Sequence, residues 1–169
     1  MLLDLIIDTF MSDLQKIHLS IGDKAPDFSC LDQEGNMISL ADFAGKKLVL
    51  FFYPRDNTPG CTAEACNLRD HYDDLREAGF ELLGVSADSQ KKHQNFIRKF
   101  DLPFSLLADV DKEVIQAYGV WGPKKFMGKS FEGILRTTFV IGEDGRILNI
   151  LTKVKTKDHA AQILEETDV

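Results

Sequence analysis

Apolar residues are not spread evenly along the chain but come in short dense runs separated by amphipathic stretches. The run Leu48-Val49-Leu50-Phe51-Phe52 inside Lys47–Tyr53 has no polar alternation and predicts a parallel strand buried on both faces. Glu81–Ser86 repeats that signature, and Phe104–Ala108 and Thr137–Ile141 are shorter versions of it. Between the runs, helical spacing predicts helices over Cys61–Glu77, over Ser89–Phe100 with Phe96, Ile97 and Phe100 on one face, and over Lys112–Tyr118. Strands alternating with helices make a layered α/β domain.

Two turn signals break the alternation. Asp32–Asn36 joins Phe28–Leu31 to Met37–Leu40 as an N-terminal β-hairpin, and Glu143-Asp144-Gly145 joins the Thr137 strand to Ile147–Leu151. A last helix runs from about Lys157 to Glu166, with Thr156 as its cap. The expected architecture is a thioredoxin-like fold, a mixed central sheet flanked by helices. A flavodoxin-like doubly wound sheet is the runner-up, disfavoured by the late hairpin.

With 169 residues the chain reads as one domain over residues 21–169 behind an N-terminal extension, residues 1–20. Hydrophobic content of 44% beside 28% charged residues excludes disorder, a collagenous repeat and a membrane bundle. A net charge of −7 disfavours partnership with nucleic acid or an anionic membrane. Met1–Phe10 is apolar, but Asp4 and Asp8 interrupt it and no basic residue precedes it, so it is not read as a signal peptide; Met11 reads as an alternative initiator. Three cysteines have the wrong parity for a secreted disulfide scaffold, which points to reduced thiols and a cytoplasmic location.

The densest punctuation, Pro54-Arg-Asp-Asn-Thr58-Pro59-Gly60-Cys61, ends a buried strand and opens a helix. Loops at strand C-termini form the functional crevice of α/β sheets. Cys61 in the first helical turn meets unpaired N–H groups and the helix dipole, which acidify a thiol towards thiolate; the competing reading is a small buried hydrophobe. Cys61, Ala65, Leu68, Tyr72 and Leu75 share a core-facing stripe, whereas Cys66, Asp70, Asp73 and Glu77 share a stripe facing water. Positions five apart on a helix have Cα atoms about 8.7 Å apart, outside the roughly 4.4 to 6.8 Å a disulfide allows. Any pairing of Cys61 with Cys66 would therefore require the first turns of the helix to unwind. Neither a C-x-x-C nor an H-x-x-x-H pair is present, which disfavours both zinc and thioredoxin-type exchange.

These residues carry a resemblance. Pro54-x-x-x-Thr58-x-x-Cys61 resembles the peroxidatic motif of the peroxiredoxins, and Pro-Gly-Cys-Thr-Ala-Glu-Ala-Cys, with its second cysteine five residues on, is similar to the bacterioferritin-comigratory-protein (Q-type) subfamily. Gly22–Phe28, Tyr118–Gly122 and Gly133–Ile141 are similar to the same subfamily, so the likeness runs from Gly22 to the last helix.

The resemblance implies a thioredoxin-dependent peroxidase of the atypical two-cysteine kind, acting on hydrogen peroxide and organic hydroperoxides without a cofactor. It makes Cys61 the thiolate that becomes sulfenic acid. Thr58 becomes the hydroxyl that orients thiolate and peroxide, Pro54 the cover that excludes water, and Arg136 the guanidinium that stabilises the charge. Only the resemblance selects Arg136 over Arg55 or Arg69. It makes Cys66 the resolving cysteine, gives a Cys61–Cys66 disulfide that thioredoxin reduces, and implies a monomer or weak homodimer. The alternatives are a protein disulfide oxidoreductase and a non-catalytic redox-sensing module.

The other notable residues take plainer readings. Cys30 is a packed small side chain, and His18, His71, His93 and His159 form no cluster and are non-catalytic. Trp121, in a loop spanning Gly119–Gly128, either lines a pocket or anchors the loop. Glu64 suits the helix dipole and braces the loop, although its charge opposes acidification of Cys61.

Overall fold

Strand β3 (Lys47–Phe52) shows how the fold is assembled, because its apolar run serves two cores. Val49, Phe51 and the following Tyr53 point to one, while Leu48, Leu50 and Phe52 point to the other. Alternation of side chains across a strand makes this the natural outcome of an uninterrupted apolar sequence.

The computed structural model describes residues 17–167; the apolar segment at Met1–Phe10 and the alternative initiator Met11 lie outside the described residues. The element order is β1 (Ser29–Leu31), β2 (Met37–Ser39), β3, α1 (Pro59–Asp70), α2 (Tyr72–Glu77), β4 (Phe80–Ser86), α3 (Gln90–Phe100), β5 (Ser105–Ala108), α4 (Glu113–Ala117), β6 (Trp121–Phe126), β7 (Lys129–Ile134), β8 (Thr137–Ile141), β9 (Ile147–Leu151) and α5 (His159–Glu166). The central sheet has the order β5-β4-β3-β8-β9: β3, β4 and β5 run parallel, and β8 and β9 are antiparallel additions. It is the mixed sheet that the sequence predicts, in the thioredoxin-type arrangement. Helices α1, α2, α3 and α5 cover one face through Leu68, Leu75, Phe96 and Ile163; α4 and the N-terminal segment cover the other through Ile115, Tyr118 and Phe28. Among the described residues no helix is long and apolar enough to cross a membrane.

Three expectations need correction. The predicted helix over Cys61–Glu77 is two helices, because the backbone leaves helical geometry at His71 (φ −111°, ψ 19°). The last helix starts at His159 with Asp158 in the cap position, not at Lys157 behind a Thr156 cap. The predicted Gly119–Gly128 loop is largely strand: β6 and β7 form a separate hairpin turning at Met127 (φ 52°) and Gly128 (φ 79°). Left-handed backbone at both central positions is the twist a two-residue hairpin needs, although methionine seldom adopts it.

Candidate active site

The site begins where β3 ends. Tyr53 N–H still bonds Val85 O at 3.1 Å, and the chain then crosses Pro54–Thr58 before α1 starts. That crossing is held from beneath by a buried polar cluster. Tyr53 Oη donates to Asp56 Oδ1 at 2.6 Å, His93 Nδ1 lies 2.6 Å from Asp56 Oδ2, and His93 Nε2 lies 2.8 Å from Leu107 O. Asp56 N–H and Ser86 Oγ both donate to Asp88 Oδ2, at 2.8 and 2.7 Å. Burial, followed by the charge of Asp56, pushes the Tyr53 phenol well above its ordinary pKa, so it stays a donor. Asp56, Asp88 and His93 offer ligand atoms within 4.8 Å of one another, as a metal site would. Each already makes short bonds within the protein, and together they pin the loop.

Thr58 occupies the N-cap, and Pro59 the first helical position, where a missing N–H costs nothing. The Thr58 hydroxyl donates to Arg55 O at 2.9 Å instead of capping the helix. Cys61 follows in the first turn with 2% of its surface exposed. Arg136, between β7 and β8, sends Nη2 to Cys61 Sγ at 3.3 Å and Nη1 to Glu64 Oε1 at 2.8 Å. Glu64 is fully buried, and burial pushes its carboxyl up to about 7 against the opposing pull of Arg136. Lys124 on β6 anchors to Ile134 O at 2.9 Å; burial, then the charge of Arg136, pushes its ammonium down. A groove of about 910 Å³ runs past Pro54, Thr58, Trp121, Lys124 and Phe131.

The sequence-predicted residues are thus placed unequally. Arg136 and Cys61 are in contact, and Pro54 and Thr58 share the groove wall. Cys66 stays on intact α1 with its thiol free; Asp70, Asp73 and Glu77 of its predicted stripe are exposed, and Cys66 itself is half-buried. Cys30 packs partly against the second core, and burial, followed by Asp109, pushes its thiol up to about 12, as suits an inert side chain. The sequence reading missed His93 and His159, both fully buried beside the site, because their partners lie far away along the chain. It also missed Lys124, whose position depends on the unrecognised hairpin.

A buried thiol in the first turn of a helix, behind a parallel strand of a thioredoxin-type sheet and bonded to a guanidinium, defines a thiol-based redox protein. The AhpC/TSA family matches residues 21–150. The chain is 47% identical over 147 residues to a protein of Haemophilus influenzae called putative peroxiredoxin bcp, covering 87% of this chain and 95% of that one. It is 45% identical over 146 residues to peroxiredoxin Bcp of Escherichia coli K12, covering 86% and 94%. Among solved structures, the bacterioferritin comigratory protein of Xanthomonas campestris, described with its alkyl peroxide reduction activity, superposes with a TM-score of 0.79 at 34% identity over 89% of this chain and 96% of that one. The chain belongs to the AhpC/TSA family and, within it, to the peroxiredoxins of the Bcp or Q type.

Proposed function

We propose that the protein is a thiol peroxidase in which Cys61 reduces hydrogen peroxide and organic hydroperoxides. The observation that carries this reading is the Arg136 Nη2–H donor 3.3 Å from Cys61 Sγ. A guanidinium there orients the sulfur and stabilises the charge that builds on the departing oxygen. Family membership supports the reaction class.

In the proposed step the sulfur attacks the terminal oxygen of the hydroperoxide. The S–O bond forms as the O–O bond breaks, and the alkoxide takes a proton to leave as alcohol. Thr58, whose hydroxyl proton is committed to Arg55 O, keeps its oxygen lone pairs for an incoming O–H. Pro54, half-buried at the groove, keeps water away from the anion. At 2% exposure Cys61 is out of reach of the strand of a protein disulfide, which favours a small peroxide as substrate and a peroxidase over a disulfide oxidoreductase.

Cys66 is proposed as the resolving thiol. Its attack on the sulfenic acid forms the Cys61–Cys66 disulfide and releases water, and it requires α1 to unwind because an intact helix holds the two Cα atoms about 8.7 Å apart. Unwinding exposes the disulfide to a dithiol reductant, for which thioredoxin is the proposed donor. This makes the protein an atypical two-cysteine peroxidase, functional as a monomer or weak homodimer in the cytoplasm. The test is peroxide consumption coupled to oxidation of reduced thioredoxin. Turnover in the wild type and none in Cys61→Ser is expected; equal consumption by the two would overturn the reading.

A further inference from the structure

Arg136 serves two acids at once, Cys61 through Nη2 and Glu64 through Nη1. The second carboxylate oxygen, Glu64 Oε2, is buried and has no hydrogen-bond partner among the described residues. His159 Nε2 lies 3.5 Å from it. That nitrogen has no proton to offer. Gln162 Oε1 is fixed as an acceptor by Lys155 N–H at 3.0 Å, so His159 Nδ1 is the N–H that donates to it at 2.9 Å. Nε2 is then left to accept from the Thr138 hydroxyl at 2.8 Å. Burial lowers the His159 pKa to about 4, which keeps the ring neutral.

Glu64 Oε2 therefore meets no donor on the His159 side. An ionised carboxylate leaves that oxygen charged and unpaired in a dry interior, a costly arrangement that protonation relieves by removing the charge. The charged and titratable groups facing Glu64 are Arg136 from the β7–β8 junction, His159 from α5 and Cys61 on its own helix, with Lys124 of β6 facing Arg136 and Cys61. If both acids ionised, two negative charges would share one half-buried guanidinium.

We propose that Cys61 and Glu64 hold one proton between them across Arg136, so that the thiolate is paired with a protonated Glu64, which releases its proton when the sulfur loses its charge. The proposal rests on the peroxidase reading and supplies the proton balance of its first step. Thiolate, hydroperoxide and carboxylic acid become sulfenic acid, alcohol and carboxylate. The proton that leaves Glu64 makes up for the one the alkoxide takes, and the charge of the site is unchanged. Glu64 acts through Arg136 and is a positioning residue.

The experiment uses the Cys66→Ser protein, which stops at sulfenic acid, mixed with hydrogen peroxide and followed by infrared difference spectroscopy, with the sulfenic acid counted by mass after trapping. Oxidation is expected to remove a carboxylic acid C=O band and add a carboxylate band, with well under one proton taken up per sulfenic acid near pH 7. In Cys66→Ser/Glu64→Gln, where an amide still accepts from Arg136, both bands should be absent and uptake should rise to one proton. Sulfenic acid formed with no carboxyl band change in Cys66→Ser overturns the proposal, and that arm decides even if the double variant fails to fold. Failure to form sulfenic acid at all overturns the peroxidase reading instead.

Discussion

A Cβ added at Gly60 would lie 3.1 Å from Arg136 Nη2, the nitrogen that bonds the Cys61 sulfur. Arg136 cannot retreat without lengthening its bond to Glu64 or to Cys61. Gly60→Ala should therefore slow sulfenic acid formation in stopped-flow assays while leaving thermal stability unchanged or raised, since alanine in a helix gains up to about 1 kcal/mol over glycine. A rate equal to wild type would show that the guanidinium has slack. Arg136→Ala removes the donor altogether and should cost about 100-fold in the rate with peroxide, the loss typical for one oxyanion-type donor. At this scale the sequence was half legible. Strand end, proline, glycine and helix start located Cys61, but Arg136 lies 75 residues away, and only the resemblance singled it out. The burial of Glu64 was unreadable, because a glutamate near the start of a helix is usually solvated; the helix begins at Pro59, which puts Glu64 in its second turn.

In the proposed cycle helix α1 is the element that has to move, and its attachment to α5 should set how easily it does so. Asp158 provides no side-chain cap to α5; Asn67 of α1 takes that place, accepting from Ala160 N–H at 2.8 Å and donating to Lys157 O at 3.0 Å. Asn67→Ala should lower stability by about 1 kcal/mol, the usual value of a cap. It should also speed decay of the sulfenic acid to disulfide several-fold, measured by quenched-flow mass spectrometry, because one contact holding α1 folded is gone. An unchanged decay would mean that unwinding stops short of Asn67. Beneath the loop, His93→Leu should cost about 3 kcal/mol in denaturant unfolding by leaving the Asp56 carboxylate buried with a partner missing. The sequence predicted the buried strands from their unbroken apolar runs and α3 from its helical period. It missed the β6–β7 hairpin because Gly122, Pro123, Lys124, Lys125 and Gly133 give no alternation and Met127 is not a turn residue.

For the whole molecule, two buried groups make opposite contributions to stability as pH changes. Glu64 binds its proton more tightly folded than unfolded, between 4.5 and about 7, so its contribution falls as pH rises through that window. His159 binds its proton less tightly folded, between about 4 and 6.5, so its contribution rises with pH. From pH 4.5 to 6.5 the two offset each other. Glu64→Gln should leave a protein that gains stability with rising pH across that range, and His159→Gln one that loses it, in urea unfolding at a series of pH values. Parallel wild-type and variant profiles would contradict this. The layered architecture itself was legible, since the unbroken apolar run of β3 demands cover on both faces and the Glu143–Gly145 turn demands an antiparallel edge. What lay beyond the sequence was the meeting of β3, α1, α5 and the β7–β8 junction around Cys61 and Glu64.

Intact mass before and after one equivalent of hydrogen peroxide tests that meeting point most directly. The reduced wild-type protein should lose two hydrogens as Cys61 and Cys66 join, Cys66→Ser should gain one oxygen, and Cys61→Ser should stay unchanged. A Cys61→Ser protein that takes up oxygen as fast as the wild type reacts would place the chemistry at another residue and contradict the account.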